Sequence, residues 1–122
     1  MHYDETEEFK KNLKCLLKRF RSLEDDLNTV KKAVIEIRHI RKIDNLSTFQ
    51  IQGFGNNDLS FWKIKKFACK ALKGRGAKSG IRVIYAFEPK INRVTFLEIY
   101  FKGDKQNEDQ KRIIWFIGGR SQ

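Results

Sequence analysis

Ile81-Arg82-Val83-Ile84-Tyr85-Ala86-Phe87 is followed, beyond Pro89 and Asn92, by Val94-Thr95-Phe96-Leu97-Glu98-Ile99-Tyr100-Phe101. The first run is apolar on both faces except at Arg82, as expected of a central strand covered from both sides. The single proline and Asn92 mark a turn, so the second run returns as the next strand. Upstream, Trp62-Lys63-Ile64-Lys65 alternates apolar and basic residues, the period of a half-buried strand with its lysines outward. Lys66-Phe67 breaks that alternation and predicts a bulge there. Gly103-Asp104 closes the last strand, and residues 108–116 fit a short final helix. Together these segments predict an antiparallel meander of three strands.

The preceding half has a different period. Phe9, Leu13, Leu16, Leu17 and Phe20 recur at helical spacing. Ser22 reads as an N-cap, with Glu24, Asp25 and Asp26 in a first turn where the helix dipole favours acids. Leu27, Val30, Val34 and Ile37 continue a second apolar stripe, so the pair is expected to form an antiparallel helical hairpin. A short strand over His2–Glu5 is also compatible with the pattern. Between residues 41 and 60 the periodicity fades, and Gly53-Phe54-Gly55-Asn56-Asn57-Asp58 is loop chemistry. The expectation is an α+β fold, with an N-terminal helical hairpin packed on one face of a small antiparallel sheet and a short C-terminal helix. The 122 residues suit a single domain over 1–122, and no internal repeat is present.

Composition narrows the function. The chain carries 26 Lys and Arg against 15 Asp and Glu, a net charge of +11. Residues 1–58 hold 11 basic and 10 acidic side chains, whereas residues 59–122 hold 15 and 5, so the second half contributes +10. Lys63, Lys65, Lys66, Lys70, Lys73, Arg75, Lys78 and Arg82 fall in one stretch with no acid among them. A local surplus of this kind indicates a polyanionic partner, either nucleic acid or an anionic membrane. No apolar run approaches the ~20 residues of a membrane span. The first eight residues are acidic, unlike a secretory leader, so a cytoplasmic protein is expected. Cys15 and Cys69 lack metal-ligand or disulfide spacing and are expected as small core residues.

The chemistry is narrowed by what is missing. Lys73-Gly74-Arg75-Gly76-Ala77-Lys78-Ser79-Gly80 has Leu72 and Ala77 where a P-loop needs glycines, and it leads into a strand rather than a helix. It reads instead as a flexible basic loop suited to a phosphate backbone. Glu88, Glu98, Asp104, Glu108 and Asp109 lack the spacing of a metal site, so no metal and no cofactor is expected. Nothing recommends His2 or His39 for a catalytic triad. Metal-free RNA cleavage remains, in which cations stabilise the phosphorane and a lysine of lowered pKa takes a proton. Lys63 and Lys65 share a strand face and Arg82 is the lone charge of the neighbouring strand, so the three are expected to converge as the catalytic set. The competing reading pairs Arg82 with Glu98 as a structural ion pair.

Trp62-Lys63-Ile64-Lys65, Gly80-Ile81-Arg82-Val83-Ile84-Tyr85 and Ile99-Tyr100-Phe101-Lys102-Gly103-Asp104-Lys105 closely resemble the C-terminal half of RelE/ParE-type toxins of prokaryotic type II toxin–antitoxin systems. Thr6-Glu7-Glu8-Phe9-Lys10-Lys11-Asn12-Leu13-Lys14 is similar to that family's first helix. The resemblance implies a RelE-like fold and an mRNA interferase, a hydrolase that cuts mRNA on the ribosome without metal. By position, Lys63, Lys65 and Arg82 fall on the family's basic catalytic residues. Lys66, Lys70, Lys73, Arg75, Lys78, Lys102 and Lys105 would bind RNA. Asp104 stands where the family carries an arginine, and the family's C-terminal tyrosine has no counterpart. The implied partners are a cognate antitoxin protein and ribosome-bound mRNA, with no membrane. Other members inhibit DNA gyrase, so a ParE-like inhibitor or a basic nucleic-acid-binding module is the alternative.

Overall fold

The computed structural model describes residues 1–120, so Ser121 and Gln122 of the expected 1–122 domain lie outside the described residues. Its strands are β1 (His2–Glu5), β2 (Thr48–Gln50), β3 (Ser60–Ile64), β4 (Ile81–Glu88) and β5 (Arg93–Phe101). Its helices are α1 (Glu7–Leu17), α2 (Leu23–Val30), α3 (Glu36–His39) and α4 (Gln110–Arg120). The five strands form one sheet in the order β1-β5-β4-β3-β2. The expected meander is present as β3, β4 and β5, paired antiparallel with β4 at the centre. The sheet is mixed rather than antiparallel throughout, because β1 runs parallel to β5, with His2 opposite Arg93 and Glu5 opposite Phe96. β2 was not foreseen, and it closes the opposite edge against β3.

The irregularity in the sheet is not at Lys66-Phe67. β3 ends at Ile64, and the register shift lies between Ile84 and Tyr85 of β4. Phe67 instead forms an isolated bridge to Lys78 and is fully buried, so burial of its ring explains the broken alternation.

Each face of the sheet has its own core. Phe9, Leu13, Leu16 and Phe20, with Leu23, Leu27, Val30 and Ile35, pack on Trp62, Ile64, Val83, Tyr85, Phe96 and Ile99. On the other face Ile113 of α4 packs with Phe61, Ile84, Leu97 and Tyr100. Helices therefore cover both faces, not one, as β4 and β5 demand by being apolar on both sides. Arg112 fastens α4 by donating to Leu97 O at 3.0 Å and to the Asn12 side chain of α1.

Local chemistry accounts for the helical segments. Thr6 caps α1 by accepting from the Phe9 N–H, and Glu7 and Glu8 follow in the first turn. Between α2 and α3 the chain forms a π-helical turn over Lys31–Ile35. The wider turn rotates the apolar stripe, so Ile35 is fully buried while Val34 only packs against the core edge. Ser22 precedes α2 without making a side-chain cap. Its hydroxyl donates to Asp26 Oδ2 at 2.6 Å and accepts from the Ala71 N–H at 2.8 Å. Buried Asp26 also accepts from the Lys70 N–H at 3.1 Å. These bonds tie α2 to the basic loop between β3 and β4. Cys69 is buried as expected, but Cys15 is exposed because it lies off the Phe9-Leu13-Leu16 stripe.

Two polar contacts fix the helices to the sheet. The Tyr3 hydroxyl donates to Glu36 Oε2 at 2.7 Å, and burial and that carboxylate push the phenol pKa up. His39 Nε2 lies 2.7 Å from the Tyr85 hydroxyl, with its ring stacked on Phe87 at 4.1 Å and edge-on to Trp62 at 4.8 Å. Burial, with Arg38 beside it, lowers the His39 pKa from its usual 6.5 to about 4. The folded state thus holds the ring neutral, and the unfolded chain binds the proton more readily. Stability is full above the unfolded pKa and falls as pH drops from 6.5 toward 4. Lowering the pH from 7 to 4 should cost roughly 2–3 kcal/mol through this group. Urea unfolding across that range should show a steeper acid loss for the native chain than for His39→Gln.

Candidate nucleic-acid interface

Sheet register sets out the site in two rows. Lys63 lies opposite Phe49 of β2 and Ile84 of β4, and Ile84 lies opposite Glu98 of β5. One step along, Ile64 pairs with Val83, which brings Lys65 level with Arg82, and Arg82 is paired with Tyr100. Alternation puts Lys63, Lys65, Arg82, Ile84 and Tyr100 on the face that α4 partly covers, while Ile64 and Val83 point to the opposite core. The Arg82 guanidinium donates through Nη1 to Lys65 O at 2.9 Å and to Ile81 O at 3.3 Å. The expected convergence of Lys63, Lys65 and Arg82 on one face is therefore present in the register. The alternative pairing of Arg82 with Glu98 is absent, because Glu98 is engaged by Lys105 and by the Asp109 N–H.

At the Arg82 end of this face lies a groove of about 450 Å³, walled by Phe49, Lys65, Lys66, Lys78, Arg82 and Lys102, with Ala77 and Gly80. Gly80 is required by geometry. Its φ is +85°, and an added Cβ would meet the Phe101 ring at 3.0 Å. Its carbonyl accepts from the Lys102 N–H at 2.8 Å, which binds the loop to the end of β5. Ser79 fixes the same corner by donating to Phe67 O and accepting from the Ile81 N–H. The basic loop is therefore fastened at both ends, with Gly74 and Gly76 at positive φ in its middle.

Lys65, Lys66, Lys78, Arg82 and Lys102 make no ion pair among the described residues. No acid among the described residues lines the groove either. Five cations without a paired acid around one cavity attract anions and repel metal cations. Lys65 Nζ also lies 4.7 Å from the Phe49 ring centroid, a cation–π contact.

Lys63 behaves differently from its neighbour two residues on. Its Nζ meets Glu108 Oε2 at 3.0 Å, and the two side chains are only 13% and 14% exposed. Burial works against the ammonium, but Tyr100 and Glu108 outweigh it and hold the Lys63 pKa above its ordinary value. Burial likewise works against the Glu108 carboxylate, but its backbone hydrogen bond, with Lys63 and Lys65, keeps the pKa below the usual carboxylate value. The expected lowering of a crowded lysine's pKa is not found at Lys63, whose pKa is shifted the other way. Lys105 is likewise engaged, by Glu98, itself 2% exposed.

The remaining expected contacts divide by position. Lys66, Lys78 and Lys102 line the groove, while exposed Lys70, Lys73 and Arg75 lie on the loop outside its walls. Asp104, where the toxin family has an arginine, pairs with Arg19. Three features escaped the sequence reading: Phe49, Glu108 as the Lys63 partner, and buried Tyr100, whose ring centroid lies 5.8 Å from Lys63 Nζ. A larger cavity of about 660 Å³ lies between the start of α1 and α4, but it mixes Glu5, Glu7, Glu8 and Asp109 with Lys111 and Arg112. Among the described residues, no three His, Cys, Asp or Glu side chains gather as a metal site requires. No helix among them is long and apolar enough to cross a membrane.

Comparison with known proteins adds one structural likeness. No family model matches the sequence, and no curated protein matches it. The backbone is similar to a chain of the crystal structure of an archaeal RelE-RelB complex from Pyrococcus horikoshii OT3. The TM-score is 0.49 and the identity 16%, over 84% of this chain and 94% of that one.

The contrast between the two lysines is measurable by urea unfolding at neutral pH. Lys63→Met strands the Glu108 carboxylate in a largely buried place and should cost roughly 2–4 kcal/mol. Adding Glu108→Leu should recover most of the loss. Lys65→Ala, at an exposed position, should stay within about 0.5 kcal/mol of the native chain.

Proposed function

We propose that the chain is the toxin of a type II toxin–antitoxin pair, and that it cleaves ribosome-bound mRNA without a metal. The observation that carries this reading is the groove of five unpaired cations in which Lys65 and Arg82 stand level on neighbouring strands. The resemblance of the strand motifs to RelE-type toxins supports it, since Lys65 and Arg82 fall on that family's basic positions. In this reading the helical segments serve as the scaffold hairpin of a RelE-like fold. The protein acts in the cytoplasm and is held inactive by an antitoxin that covers the groove.

Cleavage needs three services. The 2′-hydroxyl must lose a proton, the 5′ oxygen must gain one, and the phosphorane's added charge must be stabilised. Arg82 is suited to the last. Its Nη1 is held by two carbonyl oxygens, so the guanidinium is oriented before substrate arrives. Lys65 supplies a second charge in the same row. Lys63 is paired with Glu108 and adds little net charge to the row. Lys66, Lys78 and Lys102 hold the flanking phosphates, and Lys70, Lys73 and Arg75 extend the basic surface along the loop.

One observation favours a second reading, in which the same fold only binds. Glu108 meets the Lys63 ammonium at 3.0 Å, an ion pair that engages this lysine as a cation and leaves it ill suited to accept a proton. A ParE-like gyrase inhibitor or a basic nucleic-acid module would need no such acceptor. Primer extension on mRNA after induced expression separates the readings. Discrete cuts within translated codons are expected, and Arg82→Ala should reduce them by roughly 10²–10³, as for loss of one preorganised donor. Intact mRNA accompanied by broken DNA would assign the chain to the gyrase class.

A further inference from the structure

The groove wall includes one aromatic ring, and its place there is set by the backbone. Phe49 lies in the edge strand β2 opposite Lys63, which directs its side chain to the same face as Lys63 and Lys65. It is 41% exposed, in a protein whose other sheet aromatics are largely buried. Single exposed apolar residues are common and need no explanation. This one borders a cavity that it shares with five cations lacking acidic partners. The Lys65 ammonium over its ring holds the two side chains in register.

From this juxtaposition we infer that Phe49 is a stacking platform for an unpaired nucleobase, with the adjoining phosphates held by Lys65, Arg82 and Lys102. The inference rests on the reading of the groove as a nucleic-acid site and deepens it by naming an unpaired nucleotide as the occupant. Every base presents a π-face, so an aromatic beside a cationic track binds single strands with little sequence preference. A duplex keeps its bases stacked on one another and offers only phosphates to such a wall. The cavity of about 450 Å³ falls within the range of small-ligand pockets, about 300–1,000 Å³. A lipid surface would need several apolar anchors, and this groove supplies one ring.

Fluorescence anisotropy with a labelled, 2′-O-methylated hexanucleotide tests the assignment without interference from cleavage. A matched abasic oligomer of the same length separates base binding from phosphate binding. The native chain should bind the base-bearing strand more tightly than the abasic one. Phe49→Ala should remove that difference, weakening the base-bearing strand by about 5- to 100-fold, and leave abasic binding unchanged. Phe49→Leu, which keeps apolar bulk on the edge strand but loses the π-face, should behave like Phe49→Ala, and Phe49→Trp should retain the preference. Arg82→Ala should weaken both strands alike and flatten the salt dependence. Equal affinity of the native chain for both strands, or equal loss of both in Phe49→Ala, would overturn the stacking role. Base-dependent binding combined with uncut mRNA in cells would retain the stacking role and refute the nuclease reading instead.

Discussion

The pairing of β4 with β5 is the constraint on which the rest of the structure depends. Eight residues of β4 are matched to nine of β5, with one irregularity between Ile84 and Tyr85, and both strands are buried almost end to end. A strand pair that is apolar on both sides cannot stand with one face in water, so it needs cover twice. The segment from α1 to α3 supplies one layer, and α4 supplies the other through Ile113. Cover by α4 stops short of the start of β4, where Arg82 replaces the apolar residue expected of a central strand. The groove is the part of the second face that the last helix leaves open.

The position of the acids decides which cations are free. Four of the five acids in the second half, Glu98, Asp104, Glu108 and Asp109, lie on β5 or in the connection to α4, and the first three each meet a basic partner. Glu108 and Glu98 thereby neutralise Lys63 and Lys105 at the covered end of the sheet face. No acid occurs between Asp58 and Glu88, so Lys65, Lys66, Lys78 and Arg82 have no local partner. The face therefore grades from a neutral, packed end under α4 to a cationic, open end beside the loop. Alternation alone gives Lys63 and Lys65 the same direction, and the neighbouring acid gives them different chemistry.

Much of this was legible in the sequence where a short period or a local composition carried it. The two central strands, the stripe of α1 and the charge surplus from 63 to 82 all follow from neighbouring residues. What was not legible depends on contacts between distant segments. β2 is three residues long, too short for any period, and exists because β3 offers an edge. The π-helical turn shifts the stripe onto Ile35, which no fixed spacing of 3.6 anticipates. His39 finds its partner 46 residues away in Tyr85, and Lys63 meets Glu108 across 45 residues. In α4, Ile113-Ile114-Trp115-Phe116 is apolar on every side, so only docking decides that Ile113 is buried and Trp115 exposed.

The way the loop is held bears on how the site works. A basic loop free at both ends would pay an ordering cost each time an anion bound. Here Asp26 and Ser22 hold its first part to α2, Ser79 and Gly80 hold its last part to β4 and β5, and only the glycine-containing middle lacks such ties. Lys66 and Lys78 flank that middle and line the groove, and the bridge between Phe67 and Lys78 keeps the two limbs together. Preorganisation of this kind lowers the cost of bringing like charges together, because the fold meets it before any ligand arrives. The outer residues Lys73 and Arg75 sit on the free middle, so they can follow a polyanion without reshaping the groove. The buried fold of the loop and the open charge of the groove are thus two consequences of the same few polar anchors.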